Sequence, residues 1–145
     1  MILPDVNMLL YAYDKRSKSH RAAARWLENI LSDEEVVFSW HTITGFLRII
    51  THPSALANPT TIEKAVSIVD SWLQLENTHL IALEKKNWPL FSSVLIEGQA
   101  TGNLVMDAHL ATTAVSCGAK VASSDRDFLR FPNVAVIDPL RPIQK

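Results

Sequence analysis

Apolar and polar positions along the chain follow two periods, one of strands and one of helices. Met1–Pro4 is an apolar run closed by Asp5, and reads as a short buried strand ending in a polar residue. Val6, Leu9, Leu10 and Tyr13 then recur on one helical face, which predicts a helix over Val6–Tyr13. A basic, polar turn from Asp14 to Ser19 leads to a second helix, His20–Leu31, with Ala23, Trp26, Leu27 and Ile30 inward. Val36–Ser39 is a β-branched run and reads as the second strand. Ile43–Ile50 is apolar on most sides and ends at Thr51-His52-Pro53, where proline discourages further helix. Ser54–Pro59 reads as a loop. Thr60 with Glu63 has capping-box spacing, opening a helix that turns Ile62, Ala65, Val66, Val69, Trp72 and Leu73 inward. His79–Leu83 is a third strand, and Asn87–Glu97 a helix that tolerates Pro89 in its first turn. The polar turn Gly98–Asn103 precedes a helix over Val105–Cys117, stopped by Gly118. Lys120–Ser123 and Val134–Ile137 are the fourth and fifth strands.

Strands this short, apolar on both faces and separated mostly by helices, predict an α/β fold with a parallel sheet covered on both sides. At 145 residues, with no internal repeat or boundary, the chain is expected to form one domain. Lys plus Arg number 14 against 15 Asp plus Glu, so bulk charge announces no nucleic-acid binder, although a local basic patch could still act. The single cysteine, Cys117, excludes an internal disulfide, and no Cys/His pattern suggests zinc. The opening apolar run breaks at Asp5, and no window approaches the roughly 20 apolar residues of a membrane span. A soluble, cytoplasmic protein is expected.

The acids carry the chemistry. In a parallel sheet the carboxyl ends of all strands share one edge, and the N-termini of the covering helices lie there too. Asp5 follows strand one, Asp125 follows strand four, and Asp107 sits in the first turn of the helix leading into strand four. These carboxylates are therefore expected to converge where α/β folds place their sites. Crowded carboxylates repel unless a cation neutralises them, and oxygen-only ligands suit Mg²⁺ or Mn²⁺. Such ions polarise phosphoryl oxygens and activate water, so the pattern points to phosphodiester hydrolysis. Taken singly, each Asp has a plainer use as turn former or dipole partner, and Asp127 could cap the turn at Arg126–Phe131. Joint convergence is harder to explain that way.

The same residues carry a family resemblance. Leu3-Pro4-Asp5-Val6-Asn7, Asp107-Ala108-His109-Leu110-Ala111 and Ser124-Asp125-Arg126-Asp127-Phe128 resemble the signature blocks of PIN domains, in particular those of VapC-like toxins of bacterial toxin–antitoxin pairs. His20 with Ala23 and Trp26, Gly45-Phe46-Leu47-Arg48 with Thr51 and Pro53, Gly102-Asn103, and Asp138-Pro139-Leu140 fit as well. The resemblance implies a PIN-like three-layer sandwich with about five parallel strands. It also implies Mg²⁺- or Mn²⁺-dependent cleavage of RNA, a cognate antitoxin and a homodimer. Carried over by position, it makes Asp5, Asp107, Asp125 and Asp127 the catalytic acids, the first three as metal ligands. Asn7 and Ser124 would hold carboxylates or water in place. Many PIN domains have a glutamate about where Gly45 stands, and nothing acidic lies between Glu35 and Glu63, so one ion or two stays open.

Arg48, inside an apolar helix, reads either as a contact to RNA phosphate or as half of a structural ion pair, and Arg126 beside the acids as an RNA contact. The basic run Lys15, Arg16, Lys18, Arg21 and Arg25 could steer RNA toward the acids, although a solvated face is the default reading, and the four tryptophans read as core or partner surface. Three rival functions are weaker. A phosphoacceptor receiver module would want an acidic pair after strand one. A small-phosphoester hydrolase would want an acid at position 7, which is Asn. A PIN-like domain that binds without cleaving is kept open by Gly45.

Overall fold

The computed structural model describes residues 1–54 and 59–141. Five strands, β1 (Ile2–Pro4), β2 (Val36–Ser39), β3 (Thr78–Ile81), β4 (Lys120–Ala122) and β5 (Val136–Ile137), form one sheet of order β3-β2-β1-β4-β5. Every pairing is parallel. Six α-helices fill the connections: α1 (Val6–Tyr13), α2 (His20–Asp33), α3 (Trp40–Ile50), α4 (Ile62–Leu73), α5 (Trp88–Glu97) and α6 (Leu104–Cys117). Two 3₁₀ turns, Lys85–Asn87 and Arg126–Arg130, complete the described elements.

Alternation along the strands divides the core into two layers. Ile2, Val36, Phe38 and Ala122 face a cluster built with α1 to α4, while Leu3, Val37 and Val121 face one built with α5, α6 and Phe128. This is the three-layer α/β sandwich that the apolar pattern predicts. The largest buried side chain, Trp72 of α4, stacks on Phe38 at 5.2 Å between ring centroids and donates its indole N–H to the Tyr13 hydroxyl at 3.0 Å. No helix among the described residues is long and apolar enough to cross a membrane.

Several boundaries differ from the sequence expectation. The cap of α4 is Thr61, whose hydroxyl accepts from the Lys64 N–H at 3.3 Å, and no Thr60–Glu63 box forms. The helix starts one residue later than expected, which puts Lys64 at the third position. Ile62 and Val66 stay exposed, because α4 packs on α3 and β3 through the narrow stripe Ala65, Val69 and Trp72. Helix α3 begins at Trp40 rather than Ile43, since Ser39 caps it by accepting from the Thr42 N–H at 3.0 Å. The expected loop over Ser54–Pro59 lies mostly outside the described residues. Gly118 does close α6 in the left-handed conformation, at φ 72°.

The chain runs outward from β1 to β2 and β3, then returns to lay β4 and β5 on the other side of β1. Strand order therefore reverses between β1 and β4, and the crevice beyond their carboxyl ends is the switch point of the sheet.

Candidate metal centre

Register builds the centre. Pro4 pairs with Ala122, so the residues that leave β1 and β4 together are Asp5 and Ser123. The Asp5 N–H donates to the Ala122 carbonyl at 2.9 Å, which fixes its backbone as the N-cap of α1. Its Oδ1 accepts from the Val6 N–H at 2.7 Å and its Oδ2 accepts from the Ser123 hydroxyl at 2.8 Å. The Ser123 oxygen also accepts from the Asp125 N–H at 3.0 Å. Asp125 in turn caps the 3₁₀ turn Arg126–Arg130, accepting from the Asp127 N–H at 2.9 Å. One serine thus organises both strand ends.

Asp107 enters from the first turn of α6. Carboxylate oxygens of Asp107, Asp125 and Asp127 all lie within 4.8 Å of one another. Asp5 borders this triad, and its own oxygens are engaged by Ser123 and the start of α1. The sequence placed Asp5 among the ligands and Asp127 outside them. The structure gathers Asp127 into the triad, because the short 3₁₀ turn folds it back over Asp125.

Electrostatics match the crowding. The Asp107 carboxyl is pushed up to about 6, first by burial and then by the charges of Asp5, Asp125 and Asp127, with Arg130 opposing. Asp5 is also raised, chiefly by burial, although the bonds from Ser123 and Val6 hold it down in part. Among the described residues no Lys or Arg nitrogen comes within 4.0 Å of any of the four acids. A set of hard oxygen donors with no cation in direct contact is the chemistry that suits Mg²⁺ or Mn²⁺. The residues present fit such an ion.

The remaining candidates are placed less centrally. Ser124 makes no side-chain hydrogen bond among the described residues, and the hydroxyl that grips the carboxylate is its neighbour Ser123, because strand alternation turns 123 toward β1. Asn7 is exposed on the first turn of α1, with no side-chain hydrogen bond to a described residue. Arg48 is exposed in the last turn of α3 and has no ion pair among the described residues, so the buried charge expected from its apolar neighbours does not arise. Arg126 lines a hollow of about 210 Å³ beside Ser124, Asp125, Asp138 and Arg141. His20 is structural, its Nδ1 lying 3.0 Å from the Tyr11 carbonyl.

Gly45 faces the start of α1. A Cβ there would lie 3.1 Å from Val6 Cγ2 and 3.7 Å from Cγ1, so α3 approaches α1 more closely than a side chain readily allows. Where many PIN domains offer a further glutamate, this chain offers packing. Ser123 is the one residue of the centre that sequence reasoning missed; only the β1–β4 register singles it out.

Fold and site define an α/β protein with a carboxylate cluster at the switch point of a parallel sheet. Residues 2–134 match the family model of the PIN domain. The chain belongs to the PIN-domain family, as its signature-like blocks implied. It is 32% identical over 142 residues to Ribonuclease VapC33 of Mycobacterium tuberculosis, covering 97% of this chain and 99% of that protein. It is 34% identical over 135 residues to Ribonuclease VapC37 of the same species, covering 92% and 94%. Among solved structures, VapBC2 from Rickettsia felis, bound to a DNA fragment from its promoter, matches with a TM-score of 0.68 over 94% of this chain and 98% of that one. At 18% identity that likeness is one of fold.

Proposed function

We propose that this protein is an endoribonuclease, the toxin of a toxin–antitoxin pair, which hydrolyses RNA phosphodiester bonds with Mg²⁺ or Mn²⁺. The observation that carries this reading is the triad Asp107, Asp125 and Asp127, its oxygens within 4.8 Å, with Asp5 alongside and, among the described residues, no Lys or Arg nitrogen within 4.0 Å. Relatives named ribonucleases over nearly the whole chain support the same chemistry. A divalent cation held by Asp107, Asp125, Asp127 and Asp5 supplies Lewis-acid polarisation of the scissile phosphate and activation of water. The protein's own share is positioning. Ser123 and the Val6 N–H fix the Asp5 carboxylate, and the 3₁₀ turn fixes Asp125 against Asp127. Asn7 and Ser124, at the rim, orient water. Arg126 and Arg48, exposed and without ion pairs among the described residues, take RNA phosphates. A cognate antitoxin, homodimer assembly and a cytoplasmic setting belong to this reading; the solved neighbours include toxin–antitoxin complexes.

Purified protein incubated with total RNA in Mg²⁺ or Mn²⁺ gives discrete fragments, lost with EDTA and with Asp5→Asn or Asp125→Asn. Cleavage that survives both substitutions removes the acids from the mechanism. A folded protein that binds RNA yet cuts none under either ion favours the second reading, a PIN-like binding domain, for which Gly45 packed on Val6 is the specific observation.

A further inference from the structure

Beyond the carboxyl ends of β2 and β3 lies a second hollow, of about 410 Å³. Trp40, His41, Ile81, Phe91, Met106 and His109 line it. Its walls are largely apolar. Trp40 is 55% exposed although it opens a helix, and Met106 is 46% exposed. His109 stands perpendicular to Phe91 at 5.7 Å between ring centroids and edge-on to His41 at 5.9 Å. Its Nδ1 is buried and has no hydrogen-bond partner among the described residues. A buried polar atom left in this way costs free energy unless something binds it.

The hollow adjoins the acids. Met106 and His109 flank Asp107 on the same turn of α6. Along the sheet edge the acids sit at β1 and β4 and the hollow at β2 and β3, one to two strand spacings away, or about 5–10 Å. On the far side of the acids lies the smaller hollow with Arg126 and Arg141. A polynucleotide laid across the edge therefore meets arginines, then carboxylates, then an aromatic pocket. Largely apolar walls with two imidazoles among them suit a flat ring that is apolar on its faces and polar at its edge.

We propose that the hollow bounded by Trp40, Phe91, Met106 and His109 receives one unpaired base of the RNA next to the bond cleaved at the acids, and so sets base preference. This rests on the ribonuclease reading. Trp40 and Phe91 supply stacking faces, with the His109 ring against them at the inner wall. A base held in a duplex cannot enter, so the pocket selects loops and single strands.

The test follows the indole N–H signals of the protein by NMR, in EDTA, during titration with short single-stranded RNAs of each base; Trp40→Phe assigns Trp40. Shifts at Trp40 and at the His109 ring, larger for one base, are expected, with Trp40→Ala weakening that RNA roughly tenfold. In parallel, fragment ends from a random RNA pool are sequenced with metal present. Trp40→Ala flattens preference at one position next to the cut while cleavage continues, and Ile96→Ala, an exposed apolar control on α5, leaves it intact. Shifts confined to the Arg126 side, or an unchanged cleavage profile in Trp40→Ala, overturn the pocket and spare the nuclease. A dimer that Trp40→Ala splits without altering base preference makes the face an interface between copies, and also overturns it. RNA that neither binds nor is cut overturns both readings.

Discussion

The Ser123 hydroxyl donates to Asp5 Oδ2 at 2.8 Å, joining two residues 118 positions apart at the ends of adjacent strands. Because the same oxygen accepts from the Asp125 N–H, the bond couples the β1 acid to the turn that carries Asp125 and Asp127. Ser123→Ala removes this link. It is expected to cost about 1 kcal/mol in urea unfolding and to weaken Mn²⁺ binding about 10- to 100-fold by calorimetry. Ser124→Ala, whose hydroxyl bonds no described residue, is expected to leave both near wild type.

Asp107 gives the metal-free protein a pH signature. Its carboxyl stands at about 6 when folded against an ordinary value of 3.8, so between those values the native state holds more protons than the unfolded chain. Stability of the apo protein therefore falls as pH rises from about 4 to about 6 and levels off above. With the group only half-buried and screened by water, the loss is about 1 kcal/mol. Thermal melts in EDTA at pH 5 and pH 7 measure it, and Asp107→Asn reduces the difference. A melting temperature that rises between pH 5 and pH 7 in EDTA, and does so equally in Asp107→Asn, contradicts it.

The same carboxyl sets the pH dependence of metal binding. Protons compete for Asp107 below about 6, so Mn²⁺ affinity falls as pH drops through that value. Saturating Mn²⁺ raises the melting temperature at pH 7 more than at pH 5. An equal shift at both values would place the ion elsewhere.

Gly45 and Val6 form a testable contact. Gly45→Ala gains about 1 kcal/mol of helix propensity but pushes on Val6 Cγ2 from 3.1 Å, a crowding that costs about 1–3 kcal/mol. Val6→Ala relieves the crowding, so the double variant is expected to be more stable than the sum of the singles, by about 1 kcal/mol in a double-mutant cycle. Additive energies would mean that the helices separate freely there.

The start of α4 gives a last check. Thr61→Ala loses the cap to the Lys64 N–H and is expected to cost about 1 kcal/mol, whereas Thr60→Ala costs little. Equal effects in urea titrations would restore the Thr60 box.

Element type was legible because it depends on neighbours a few residues apart. The helix periods at Val6–Tyr13 and Ile62–Leu73, the β-branched run Val36–Ser39 and the glycine after Cys117 each imposed a local solution that the fold kept. So too were Asp5, Asp107 and Asp125 at one sheet edge, since the carboxyl ends of parallel strands and the N-termini of the helices between them share that edge. Position along a single element carried that much.

Other features depended on pairs distant in sequence. That Ser123 rather than Ser124 holds Asp5 follows from pairing Pro4 with Ala122, and a shift of one residue would exchange them. Asp127 joins the triad through the curl of a five-residue 3₁₀ turn. Arg48 has apolar neighbours in sequence, and Ile62 and Trp40 are apolar themselves, yet all three lie exposed, because exposure depends on which element arrives to cover a side chain. A hydrophobic period fixes which way a residue faces on its own helix or strand; strand order and register fix what it faces, and these are set only when the whole chain packs.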